Sequence, residues 1–225
     1  MIAAFVEAAA VEGLNVALPL DPRRAAEILP WARGGLLLLS GGVAFFENFS
    51  KEPPSGEDHP LDAFTARIVQ RLARPLREAG MRVEIRHPFA NGTEPMPFQE
   101  LGRATGRLST SRLGLDLHPR YGSHLAYRAL LLFDREVEVE ATAAESFDPC
   151  ADCEAPCIPA CPAVALAEGR LDPARCFSLR LAEDPCADGC RSRLACPQGS
   201  EHAGTLASRR FHQAASLAFA RSLLS

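Results

Sequence analysis

The rhythm of apolar and polar positions changes several times along this chain. Met1–Glu12 is alanine-rich with helical spacing, and Leu14–Leu18 is a short, mostly apolar run. Asp21–Leu29 opens on Asp21-Pro22, an N-cap followed by proline at the first helical position, and predicts a helix. Gly35–Leu39 predicts a strand covered on both faces, because Leu36–Leu39 is apolar all round and too short for a buried helix. Val43–Phe49, after the Gly41-Gly42 turn, predicts a helix, and Lys51–Pro60 is a loop by composition.

The strongest periodicity runs from Leu61 to Ala79, where Leu61, Phe64, Ile68, Leu72, Leu76 and Ala79 recur at three- and four-residue spacing. Pro75 is expected to kink or shorten that helix, and Gly80 to end it. Met81–Arg86 alternates as a strand, and Pro97–Arg107 reads as a helix. Leu113–Leu117 and Leu125–Phe133 read as strands flanking a turn at His118–Gly122, which predicts an antiparallel hairpin within a mixed sheet. Glu136–Ser146 is an acidic linker, and Thr205–Leu224 predicts an amphipathic helix that packs back on the protein. The fold class expected is therefore α/β with a mixed sheet, followed by a cysteine-rich region.

Composition narrows the function classes. The chain is 47% apolar and 23% charged over 225 residues, enough to bury a core and unlike a disordered chain. A net charge of -4 offers no broad basic field for a phosphate backbone, so nucleic acid is not an expected partner. No apolar run is long enough to span a bilayer, and the N-terminus carries Glu7 and Glu12 where a secretory signal needs apolar continuity. A cytoplasmic protein without a membrane partner is expected.

Cysteine changes the picture most. Cys150, Cys153, Cys157, Cys161, Cys176, Cys186, Cys190 and Cys196 all fall in the last third, and none precedes them. In a reducing compartment, thiolate metal ligation is a better reading than a disulfide framework, which remains open. Cys161 and Cys196 are each followed by proline. In bacterial two-cluster ferredoxins the Cys-Pro cysteine of each run ligates the other cluster. The same crossing here groups Cys150, Cys153, Cys157 and Cys196 against Cys161, Cys176, Cys186 and Cys190. The Cys153–Cys157 spacing holds three residues where ferredoxins hold two, so the loops must bulge, and two four-cysteine zinc sites remain an alternative.

The stretch Leu113–Glu138, LGLDLHPRYGSHLAYRALLLFDREVE, resembles a segment shared by CblC cobalamin-processing proteins, epoxyqueuosine reductases and reductive dehalogenases. LLLLSGGVAFFENF, HPLDAFTARIVQRL and HPRYG look like CblC, while the cysteine region looks like the reductases. The resemblance covers most of residues 14–200. It implies a nitroreductase-like cobalamin-binding domain over 1–144, a ferredoxin-like domain with two 4Fe-4S clusters over 145–200, and a C-terminal helix over 201–225. It implies cobalamin as ligand or substrate and an external electron donor of the ferredoxin or flavodoxin type. In physical terms the combination is a wire, clusters passing low-potential electrons to cobalt.

Within the resembled segment, His118, Arg120, Tyr121, Gly122 and Ser123 are the expected corrin-binding residues. Small residues let backbone approach a flat macrocycle, and Arg120 or Tyr121 can meet its amide side chains. A plain hairpin loop is the competing reading. Asp116-Leu117-His118 with Gly122 is similar to the Asp-x-His-x-x-Gly cobalt-ligand signature, but its glycine stands one position late. His118 is therefore expected to be a buried or turn-capping histidine. His59, His87, His202 and His212 are expected at the surface, while His124 lies beside the turn.

Epoxyqueuosine reductases carry an acidic proton donor upstream of this turn. Aligned by Pro95 and Pro119, that position falls on Gly92, with Glu94 displaced, and no catalytic residue is assigned. The export signal and extra length of reductive dehalogenases are not found. The expected activity is CblC-like, an oxidoreductase that reduces cobalamin and removes or exchanges its upper ligand. The alternatives are reduction of an organic substrate and non-enzymatic electron transfer or corrinoid delivery.

Overall fold

The structure, a computed structural model, describes residues 1–53, 56–89, 96–139, 147–167 and 170–222. Gly92, Glu94 and the linker residues 140–146 lie outside the described residues. The chain divides into two units, Met1–Arg107 with Leu125–Glu145, and Leu108–His124 with Ser146–Ser225. Sequence reading left Leu108–His124 in the first domain and set 201–225 apart. Both segments belong instead with the cysteines.

The first unit contains α1 (Ile2–Val11), β1 (Val16–Leu20), α2 (Pro22–Ile28), β2 (Gly34–Gly41), α3 (Ala44–Phe49), α4 (Pro60–Glu78), β3 (Val83–Arg86) and α5 (Phe98–Ala104). The second unit contributes β4 (Ser109–Thr110) and β5 (Asp116–Leu117) before β6 (Leu125–Phe133) returns to the first. The sheet order is β1-β2-β6-β3. Its pairs are all antiparallel, where a mixed sheet was expected. Helix α2 lies between β1 and β2, and a helix there suits an antiparallel return as well as a parallel crossover, so periodicity does not encode direction.

Local signals act as their chemistry dictates. The Asp21 carboxylate accepts from Arg23 N–H at 2.8 Å and caps α2, with Pro22 at its first position. Pro19 is tolerated because β1 is an edge strand. Pro75 does not end α4, which runs on to Glu78. It falls in the last turn, where its missing N–H costs a single helical bond. Every residue of β2 is buried, and Leu36–Leu39 pack against Ala129–Phe133 of β6 with no measurable exposure on either strand.

The register slips between Leu38 and Leu39, which face Ala129 and Tyr127, so Arg128 is the extra residue of a bulge. Its guanidinium is buried, its Nε donates to Ser40 Oγ at 2.9 Å, and it stands 4.8 Å from the Phe45 ring centre. The expected hairpin between Leu113–Leu117 and Leu125–Phe133 does not form. Residues 116–117 pair with β4, and β6 lies between β2, which pairs along nearly its whole length, and β3, which pairs with Leu130–Phe133.

The second unit continues with a short hairpin of β7 (Leu166–Ala167) and β8 (Arg170–Leu171), then α6 (Pro173–Ala182), α7 (Arg191–Leu194) and α8 (Leu206–Ser222). Asp172 caps α6 by accepting from Arg175 N–H at 3.1 Å. The predicted C-terminal helix is α8, and it packs against α6. Arg180 of α6, 6% exposed, ties the two together through Ser216 Oγ at 3.1 Å and the Gln213 carbonyl at 2.8 Å. Among the described residues no helix is long and apolar enough to cross a membrane.

Candidate metal centre and the turn that walls it

Two cavities open inside the second unit. The first, open to solvent, is lined by Cys150, Cys153, Cys157 and Cys196. The second, larger and likewise open, is lined by Cys161, Cys176, Cys186 and Cys190. These are the two sets of four formed by crossing the Cys-Pro residues. All eight cysteines are free thiols.

Backbone conformation explains how uneven spacings wrap these cavities. Ala155, in the three-residue gap between Cys153 and Cys157, adopts φ +57°, a left-handed turn that absorbs the extra residue. Val164 (φ +48°) and Asp184 (φ +38°) do the same beside Cys161 and Cys186, and no other non-glycine described residue has positive φ. Such strain persists only where the surroundings enforce it. The Cys153 sulfur receives the Ala155 N–H and the Cys161 sulfur the Ala165 N–H, each at 3.4 Å.

Burial pushes the Cys157 thiol up, with Cys196 adding to it, and pushes Cys176 up with the help of Cys190. Burial raises Cys186 and Cys196 as well. Two sets of four cysteine sulfurs suit either two iron-sulfur clusters or two zinc ions, since each takes four thiolates.

The segment Leu108–His124 supplies the wall. Leu113, 4% exposed, lines both cavities and packs with Ala155, Cys157 and Leu166. The His118–Gly122 turn is closed by reciprocal backbone bonds of 3.0 and 2.8 Å. His118 Nδ1 accepts from the N–H groups of Arg120 (3.1 Å) and Tyr121 (3.4 Å), so this histidine caps its own turn. Burial, with Arg120 and His202 adding, pushes its pKa down to about 4, and the neutral ring keeps Nδ1 as acceptor.

Gly122 has φ +53°, and a Cβ there would overlap the Gln198 carbonyl. Gly199 meets the turn reciprocally, its own Cβ position overlapping Tyr121 and Gly122 backbone. The absence of a side chain at Gly122 therefore lets two backbones cross, the turn against the loop after Cys196-Pro197. Gln198 Nε2 donates to the Pro119 carbonyl at 2.6 Å and Arg193 Nη2 to the Ser123 carbonyl at 2.6 Å. The Tyr121 ring lies 5.2 Å from His118 and 4.8 Å from His202. Tyr121 and Ser123 are buried and Arg120 is exposed, its guanidinium 5.2 Å from the Tyr121 ring centre. Burial, then Arg193, also pushes His124 down to about 4.

Sequence reading missed Arg193, Arg180 and the double role of Leu113, since single arginines give no signal in a chain whose 24 basic residues include one lysine. It also placed His87 at the surface. His87 Nδ1 lies 2.9 Å from the Arg128 carbonyl and its Nε2 is buried.

No protein-family model matches the chain, and no curated protein matches it. The fold does match solved structures. The epoxyqueuosine reductase of Streptococcus thermophilus is similar over 88% of this chain and 66% of that one, at a TM-score of 0.58 and 15% identity. An epoxyqueuosine reductase solved with an epoxyqueuosine-modified tRNA-Tyr stem loop matches over 91% of this chain and 67% of its own, at 0.58 and 16% identity. The C. elegans B12-trafficking protein CblC matches over 94% of this chain and 95% of that one, at a TM-score of 0.48 and 16% identity. The class defined is thus the epoxyqueuosine-reductase fold, as the sequence resemblance implied. The chain spans about two thirds of those reductases' length. A likeness of fold at this identity does not support the expectation that nucleic acid is no partner.

Proposed function

We propose that the chain is an iron-sulfur oxidoreductase that reduces cobalamin and removes or exchanges its upper ligand. The observation that carries this reading is the pair of cavities, each ringed by four cysteines, in a chain with the epoxyqueuosine-reductase fold. Cys150, Cys153, Cys157 and Cys196 hold one 4Fe-4S cluster, and Cys161, Cys176, Cys186 and Cys190 the other. When bound, such clusters store and relay single electrons. Cobalamin is the substrate: an external donor of the ferredoxin or flavodoxin type is oxidised, cobalt is reduced, and the upper ligand is released.

Residues 1–144 are proposed as the corrin-holding part and 145–200 as the cluster part, with Leu108–His124, inside the first range, grouping by contact with the cysteines. Of the turn residues His118, Arg120, Tyr121, Gly122 and Ser123, Arg120 is the one with an exposed side chain suited to the amide groups of a corrin. The others act by fixing the turn. A second reading, reduction of an organic substrate with cobalamin as resident cofactor, is favoured by the fold likeness to epoxyqueuosine reductases.

The test is cobalamin titration of anaerobically reconstituted protein. Tight binding followed by loss of the upper ligand on reduction supports processing. Binding with the upper ligand retained favours the second reading, and no binding overturns both.

A further inference from the structure

Arg193 sits in α7 between Cys190 and Cys196, and it is one of the residues lining the second cavity beside Cys161, Cys176, Cys186 and Cys190. Its Nη2 donates to the Ser123 carbonyl at 2.6 Å, and its Nε is buried with no hydrogen-bond partner. Among the described residues no carboxylate forms an ion pair with it. The other arginine of this cavity differs, because Arg180 Nε is matched by Asp184 at 3.0 Å. Arg193 is thus a guanidinium with a desolvated N–H and no counter-charge, a costly arrangement unless an anion arrives.

We infer that Arg193 is the charge partner of the 4Fe-4S cluster held by Cys161, Cys176, Cys186 and Cys190, and that its positive charge raises the potential of that cluster. This rests on the cluster reading above. A cubane with four thiolates is a dianion when oxidised and gains one further negative charge when reduced, with no bond made or broken. A fixed cation stabilises the reduced form more than the oxidised one. The bond of Arg193 to Ser123 fixes the guanidinium near the second set of cysteines, so Arg193 is a tuning residue for the cluster and joins it to the His118–Ser123 turn.

The experiment is a redox titration of reconstituted protein with dithionite as reductant, both cluster midpoints being followed by EPR. Arg193→Gln is expected to lower the ratio of reduced to oxidised second cluster at fixed ambient potential by tenfold or more, which is about 59 mV for a one-electron couple. The first cluster serves as the internal reference and stays within about twofold. Arg193→Lys, which keeps the charge, is expected within about threefold of the parent. Two assembled clusters with unchanged midpoints in Arg193→Gln overturn the inference alone. A tenfold fall in Arg193→Lys also overturns it, and that arm stands if the glutamine variant fails to assemble. An unmutated chain that takes up no iron overturns the reading beneath it together with the inference.

Discussion

The two units of this chain are held together by different physics. In the first, β2 and β6 bring Leu36–Leu39 against Ala129–Phe133 with no measurable exposure, and helices with capped or apolar ends close over them. In the second, the cluster around the cavities is Leu113, Ala155, Cys157 and Leu166, and much of the rest is turns, short helices and side-chain bonds to carbonyls. A region with so few buried aliphatic side chains gains little from the hydrophobic effect and depends on cross-links or ligands for order. The sheet unit is specified by its apolar pattern, and the cysteine unit by what its thiols bind.

That contrast can be broken first at the thiols. Cys153→Ser or Cys186→Ser is expected to remove one cluster, about half the iron and sulfide, and to lower the melting of the second unit while leaving that of the first nearly unchanged. Iron analysis, EPR and a two-transition melt would check it, and a uniform fall in both transitions would contradict the division. The converse change is Leu131→Ala in β6, expected to cost the first unit about 2–5 kcal/mol through loss of packing and a cavity. Cluster content should then be unchanged.

A third variant sharpens the boundary. Gly122→Ala forces a Cβ against the Gln198 carbonyl at a positive φ, and is expected to destabilise the second unit by roughly 1–3 kcal/mol. Denaturant melts would read it, and an effect confined to the first unit would return Leu108–His124 to the sheet domain.

The smallest effect is on pH. His118 and His124 titrate near 4 when folded and near 6.5 when unfolded. Between those values the unfolded chain binds more protons, so stability rises with pH. The contribution is complete above about pH 6.5 and is lost as pH falls towards 4, with about 3 kcal/mol per ring as a ceiling. Melting of metal-free protein from pH 7 to pH 4.5 should fall accordingly, and His124→Gln should reduce the slope.

How much of this was legible depended on how local the signal was. Asp21-Pro22 capped its helix, Leu36–Leu39 gave a strand covered on both sides, and Leu61–Ala79 gave α4, because each is decided by neighbours a few residues away. Strand direction was not legible, since nothing in β2 or β6 encodes which way a partner runs. His118 was rightly expected to cap a turn. The turn's place was missed, because two apolar runs around His-Pro-Arg-Tyr-Gly read as a hairpin when the first run in fact walls the cysteine cavities. Cys-Pro positions pointed to the two groups of four, whereas Arg193 became visible only once folding set it beside Cys190.

The central claim is that the two rings of thiols hold iron and sulfide. Iron, zinc and acid-labile sulfide should be measured on protein purified without oxygen, alongside the low-temperature EPR spectrum after dithionite. The account predicts iron and sulfide in equal amounts at two cubanes per chain, with a signal from two reduced clusters. Stoichiometric zinc, or paired disulfides with no inorganic sulfide, would contradict it.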